Sequence, residues 1–563
     1  MLELADEEYE VRNTGSSDVV IKPTPSAPKR SVAWRHTRLS WSTVGAALCG
    51  VVALATLGAP AALADQPQRL SHVIVVGRSG NTNTRSKVQS ENADVSVDLP
   101  LVNAVATDVT DDQLNALEND PSVVVVPNVP VSVQAFADTA GARPPAAVFP
   151  AATGASLLNF AGLNGSGVNV AVLDTGIAPL PDFGSRLVAG VDLSGEGNPF
   201  ADNYGHGTFV AGLIAGNGAS SQGHYMGEAP GAQLTSIKVA GASGVTDLAT
   251  VISGIQWAVT NAKALNIRVL NISLGAPPLV SSVVNPLDQA VEAAWNRGIT
   301  VVASAGNAGP FNGTITSPGD DPLVVTAGAL DDNGTVSASD DTMTTFSSVG
   351  PTYVDGWFKP DLVASGRSVV SLRAPGSTID VANPTARIGD GNFVGSGTSF
   401  SAAITSGAAA ILRQADPFAS PDKIKGKLLL GATKGPVGNP FVDGWGSLNV
   451  VSSVFTVRTL KQQAPANPTA PGSTVSLLST GAVSSWNPGN WSGLGSLNGS
   501  SWNGSSWNGS SWNGSSWNGS SWNGSSWNGS SWNGSSWSGS SWSGSSWSGS
   551  SWNGSSWNGS SWN

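Results

Sequence analysis

Through the middle of the chain, short apolar runs at 168–173, 234–239, 267–274, 299–303 and 323–330 alternate with segments whose apolar residues recur at helical spacing, at 206–215, 246–262 and 286–296. Uninterrupted apolar runs predict strands covered on both faces, and helices between them predict parallel crossovers. The expectation is an α/β fold, a three-layer sandwich with a mostly parallel sheet, over residues 137–455. A unit of about 300 residues buries most of its apolar surface without covalent staples.

The flanks lack this pattern. Between 70 and 133 the runs "HVIVV" and "VVVVPNVPVSV" surround "TDDQLNALEND", with Thr110 placed to cap a helix. Residues 65–136 therefore read as a small α+β unit. The stretch "AFADTAGARPPAAVFPAATGA" that follows reads as a linker open to cleavage. Ahead of the unit, an acidic start (Glu3, Asp6, Glu7, Glu8, Glu10) turns basic at Lys29, Arg30, Arg35 and Arg38, before the apolar run 44–57 and Ala62-Leu63-Ala64. That order predicts an export signal cut after Ala64, so that 1–64 is leader and signal peptide and the product is secreted. The run falls short of the about 20 apolar residues of a spanning helix; a retained N-terminal membrane anchor is the alternative.

At the other end, 456–500 reads as a linker and 501–563 as a low-complexity tail of Ser-Trp-Asn-Gly-Ser repeats. Such a tail is read as a flexible spacer, a square β-helix, or a cell-wall or glycan-binding element whose tryptophans stack on apolar faces. The formal net charge is −11 and no basic run is interleaved with aromatics, which excludes nucleic acid as a partner. Cys49 is the only cysteine, so neither a disulfide pair nor a cysteine zinc site can form within the chain.

Candidate chemistry starts from "VGSGTSFSAA", which sets Ser396, Thr398, Ser399 and Ser401 close together. A serine hydroxyl attacks well only when a base takes its proton, and the chain has four histidines. His36 and His72 lie in segments expected to be removed, and His224 has loop composition around it. His206, in "NYGHGTFVAGLIAG", stands between glycines where a helix begins. Asp174 ends the apolar run of "VNVAVLDTG", at the strand end where open α/β sheets bind ligands, and could orient an imidazole. Asn307, after the run of "VVASAGNAG", offers an amide to a developing oxyanion. Singly, each has an ordinary reading as a helix start, cap or turn.

Taken in order, "VAVLDTGI", "HGTFVAGLIAG", "ASAGN" and "GTSFSAA" resemble the four signature stretches of the subtilisin-like serine protease family. The resemblance implies a serine endopeptidase with Ser399 as nucleophile, His206 as general base then acid, Asp174 as its orienter, and the Asn307 amide with the Ser399 N–H as oxyanion hole. It also implies substrate-binding strands at Ser273, Leu274 and Gly275 and around Gly244. Ala305, Gly306 and Thr316 would border a specificity pocket that prefers large apolar or aromatic residues.

No cofactor is implied for catalysis. Structural calcium, common in such enzymes, is not assigned to any residue. The unit at 65–136 resembles the inhibitor-type propeptide of these enzymes, a folding aid and intramolecular inhibitor removed by self-processing between 133 and 150. One departure is Ala403, where the family usually has proline. It motivates a second reading, a catalytically weakened scaffold that binds a cell surface or glycan through the Trp-rich tail. An esterase of the α/β-hydrolase type is excluded, because Gly-x-Ser-x-Gly and the order Ser, Asp, His are both missing.

Overall fold

The computed structural model of the protein describes residues 70–80, 82–133, 135–137 and 147–457, together with the backbone of tail strands between Trp491 and Trp562. The leader, its apolar run, Cys49 and residues 458–490 of the expected linker lie outside the described residues. Among the described residues, no helix is long and apolar enough to cross a membrane.

The strands of the main sheet run in the order Thr342–Met343, Val325–Asp331, Thr300–Ser304, Ile267–Ile272, Asn169–Asp174, Gln233–Lys238 and Leu187–Asp192, with Leu362–Ser365 also joined to Val325–Asp331. Every pairing is parallel except that of Thr342–Met343. Asn169–Asp174 is buried at each position, as the unbroken apolar run predicts. Helices Leu248–Asn261 and Pro286–Asn296 pack together against the sheet, as do His206–Ala215 and Thr398–Ala415. Asp247 caps the first of these through the Thr250 N–H, 2.8 Å away, and Asn285 caps the second through Leu287 N–H. The mostly parallel α/β sheet is therefore as expected.

Two readings need correction. The run 267–274 is not one strand: Ile267–Ile272 stays in the main sheet, while Leu274–Gly275 leaves it to pair with Pro130–Val133. Nor is the stretch after residue 146 a linker. Phe149–Ala152 and Ala155–Phe160 are helical, with Phe149 and Leu158 buried in the main core. Pro150 is compatible because the first helical turn has no N–H bond to lose.

The small N-terminal unit is a four-stranded antiparallel sheet in the order Val95–Leu99, Ala104–Val109, Ser71–Gly77, Val123–Pro127. Thr110 and Gln113 form a reciprocal capping box at helix Asp111–Glu118. Strand alternation divides the apolar residues of "HVIVV": Val73 and Val75 join Val88, Val109 and Leu117 in a core of the unit's own, while Ile74 and Val76 join the main core. The unit docks on helix Leu248–Asn261, where Gln256 accepts from Leu101 N–H and Asn128 from Ala249 N–H. In the tail, Ser501 pairs in parallel with Ser521, Ser511 with Ser531 and Ser531 with Ser551, so identical pentads stack four repeats apart.

One buried carboxyl ties the layers together. Glu228 accepts from the Thr153 hydroxyl at 2.6 Å with one oxygen, and its other oxygen has no protein partner. Burial pushes its pKa from an ordinary 4.5 up to about 8, against the opposing effect of the Thr153 bond. Because the folded-state value is the higher, the contribution of Glu228 to stability is complete below pH 4.5 and is lost as the pH rises through about 8, at roughly 1.4 kcal/mol per pH unit. Glu228→Gln should make the melting temperature fall less steeply between pH 4.5 and 8 and raise it at pH 8. Melting curves of the two proteins that stay parallel over that range would refute this.

Candidate active site

Asp174, Ser273 and Asn307 all follow from the carboxyl ends of neighbouring parallel strands, Asn169–Asp174, Ile267–Ile272 and Thr300–Ser304. His206 and Ser399 come from the first turns of helices His206–Ala215 and Thr398–Ala415, which pack on each other over that edge. The five residues flagged by separate motifs are thus brought to one place.

Asp174 and His206 are buried, with His206 Nδ1 2.7 Å from Asp174 Oδ1, which also accepts the Thr175 N–H at 2.8 Å. His206 Nε2 has no hydrogen-bond partner in the protein. The turn that carries His206 is held by a network the sequence reading missed. Asp202 accepts from the Thr175 hydroxyl, Gly205 N–H and Thr208 N–H, and the Thr175 hydroxyl accepts from Gly207 N–H. Burial pushes the Asp202 carboxyl up, with these hydrogen bonds opposing the rise. Gly207 is required by this approach, because a Cβ there would strike the Gly176 carbonyl. "DTG" and "DNYGHG" carry these residues openly, but only the fold reveals the network.

The Ser399 hydroxyl donates to the Ser273 carbonyl at 2.8 Å, and the Ser273 hydroxyl donates back to the Ser399 carbonyl at 3.0 Å. In this state the hydroxyl is therefore hydrogen-bonded to Ser273 and not to the imidazole. Phe400, the next residue, stacks on His206 with ring centroids 5.8 Å apart. Asn307 Oδ1 accepts both the N–H and the hydroxyl of Thr398 at 3.0 Å. That fixes the amide with its Oδ1 toward Thr398 and its NH₂ on the other side. Ser399 is the second residue of an eighteen-residue helix, whose N-terminal N–H groups and dipole favour negative charge. Ala403 is buried within this helix and does not interrupt it.

The expected substrate strands are real edges, and the chain itself occupies them. Pro130–Val133 pairs antiparallel with Val245–Asp247 on one side and with Leu274–Gly275 on the other. Val133 N–H donates to the Gly244 carbonyl at 3.3 Å, and Val131 is fully buried between the two edges. Beyond, Phe136–Ala137 pairs with Gly395 and Ser396. Continuing the second register sets Ala135 opposite Gly397, two residues before Ser399. Ala305, Gly306 and Thr316 also come together: Thr316 N–H donates to the Ala305 carbonyl at 3.0 Å, and a Cβ on Gly306 would lie 2.9 Å from Thr316 Cγ2. His224 is exposed, as its loop composition suggested. Among the described residues, no group of three or more His, Cys, Asp or Glu side chains is arranged to hold a metal ion.

The sequence profile of the subtilase family matches residues 165–446. Among curated relatives, the serine protease AprX of Bacillus subtilis is 42% identical over 297 residues, 52% of this chain and 67% of that protein. The subtilisin Savinase of Lederbergia lenta is 36% identical over 51% of this chain and 91% of its own length, and an alkaline protease of Shouchella clausii is 32% identical over 65% and 84%. Fervidolysin from Fervidobacterium pennivorans, described as a keratinolytic enzyme related to subtilisin, superposes with a TM-score of 0.56 at 21% identity, covering 72% of this chain and 64% of that one, a likeness of fold. On the profile match and these relatives, the chain belongs to the subtilase family of serine endopeptidases.

Proposed function

We propose that the protein is a secreted endopeptidase that hydrolyses peptide bonds through an acyl-enzyme on Ser399 and processes its own precursor. His206 takes the hydroxyl proton and returns it to the leaving amine; Asp174 holds the imidazole with its Nδ1 proton directed at the carboxylate. The Asn307 amide and the Ser399 N–H receive the oxyanion. For attack, the Ser399 hydroxyl rotates from the Ser273 carbonyl toward His206 Nε2, the nitrogen left without a partner.

The observation that carries this reading is the strand Pro130–Val133 between two edges, continuing at Phe136–Ala137 past Ser399. Extended peptides bind by adding to sheet edges in this way, with main-chain bonds for affinity and side-chain pockets for choice. The small unit at 71–127 is then the inhibitory propeptide, with its end lying in the cleft as substrate. The bond cut is the one between Gln134 and Ala135, near the start of the 133–150 interval expected from sequence. Gln134 itself lies outside the described residues.

The test is to sequence the mature N-terminus and label the product with a serine-directed phosphonate. An N-terminus at Ala135 and a label on Ser399 are expected. A folded mature protein that takes no label would favour the weakened binding scaffold instead.

A further inference from the structure

The loop between the strands Val369–Leu372 and Asn392–Ser396 is absent from every motif discussed so far, yet it reaches the active site. Its centre is Asp380, almost fully buried. Arg373 donates to both carboxylate oxygens, from Nε at 2.5 Å and from Nη2 at 2.9 Å. Arg387 donates from Nε to Oδ1 at 2.7 Å and from its terminal nitrogen to the Asp380 carbonyl at 2.8 Å, and Gly376 N–H donates to Oδ2. Two arginines on one buried carboxylate form a clamp far stiffer than an exposed ion pair.

The residues just before Asp380 are seated by main-chain bonds on the turn that carries His206. Thr378 N–H donates to the Asn203 carbonyl at 2.9 Å and Ile379 N–H to the Tyr204 carbonyl at 3.0 Å. The Thr378 hydroxyl donates to the Ala242 carbonyl at 2.8 Å, joining the loop to the segment that leads into the Gly244 edge. The fit leaves no room at Gly205, where a Cβ would lie 2.7 Å from Ile379 Cγ1. Ile379 with Tyr204, His206, Phe209, Phe393 and Phe400 lines a cavity closed by Ala135–Ala137. By register, those three residues follow the cut bond, so the cavity lies on the leaving-group side.

Resting on the peptidase reading above, we propose that this cavity selects an apolar residue immediately after the cut bond, and that Asp380 is the positioning residue that keeps Ile379 in its wall. A charged side chain there would lose its hydration against Ile379, Phe209, Phe393, Phe400 and the Tyr204 ring, and His206, the remaining wall, is already paired with Asp174. One apolar contact in such a pocket is worth about 10- to 200-fold in discrimination.

The test compares two kinds of substrate with the same acyl side, a p-nitroanilide, which has no residue after the cut, and peptides with Ala, Val or Asp in that position. Mature wild-type protein should prefer Ala and Val to Asp by at least about tenfold in kcat/KM. Asp380→Asn should lower kcat/KM for the Val peptide about tenfold more than for the anilide, and should narrow the preference against Asp. Ile379→Ser, which leaves the clamp intact, should reproduce the change in preference. Equal losses on anilide and peptide would show a merely structural role and overturn the inference, as would an unchanged preference in both variants. A wild-type protein that cuts neither substrate would overturn the peptidase reading itself, and this inference with it.

Discussion

Replacing Ser399 by alanine is expected to lower peptide hydrolysis by about 10⁶-fold and to leave the chain uncut between Gln134 and Ala135. The size follows from the role proposed for the hydroxyl: with Ser399 as nucleophile, its loss leaves no group to form the acyl-enzyme, and the histidine has nothing to deprotonate except water. Folding should survive. The substitution removes one hydrogen bond, from Ser399 to the Ser273 carbonyl, worth about 1 kcal/mol. The bonds that seat Pro130–Val133 in the cleft are main-chain bonds, and Ser399→Ala does not touch them. Intact mass of the purified product reads the outcome: the precursor should persist with its N-terminal unit attached, while the wild type appears shortened. Normal trimming of Ser399→Ala at the same bond, in a host with no active copy of the protein, would show that another protease does the cutting.

Much of this site is legible in the sequence because its parts are local. Asp174 ends an apolar run, His206 opens a helix between glycines, Asn307 follows a strand, and Ser399 begins the longest helix of the main unit. Each position is fixed by a secondary-structure boundary that periodicity and turn residues announce. Thr110 is legible for the same reason, as a cap with its reciprocal Gln113 three residues on.

What the sequence hides is long-range pairing. "NISLGAP" reads as a continuation of its strand, and only the docking of Pro130–Val133 explains why Leu274 turns away from the main sheet. The "linker" composition of 135–155 misled from Phe149 on, because Pro and Ala serve helix starts as well as loops. Asp380 and its two arginines are unremarkable as sequence, since seven residues separate the acid from either base and nothing local says they meet. The direction of the Ser399 hydroxyl is a rotamer, which no pattern of residues encodes.

Asp174→Asn is expected to cost about 10⁴-fold in kcat while leaving the protein at least as stable. The carboxylate is the protein partner of His206 Nδ1, at 2.7 Å, and as an acceptor it holds the imidazole proton on that nitrogen. That arrangement gives Nε2 a lone pair, and Nε2 is the atom with no other partner. An amide in the same place keeps the shape, but the one atom that faces Nδ1 also faces the Thr175 N–H; an NH₂ set there would donate to Nδ1, move the ring proton to Nε2 and leave the Thr175 N–H without that acceptor. The imidazole would then offer Ser399 an N–H where a base is needed. Asp174 is fully buried, so removing its charge also relieves a desolvation cost, which is why activity and stability should part company. The edges at Val245–Asp247 and Leu274–Gly275 are untouched, so KM should change little. Steady-state kinetics with a melting curve on the same sample measures both halves. A loss below tenfold, or one carried by KM, would mean that the imidazole is not held in its working form by Asp174.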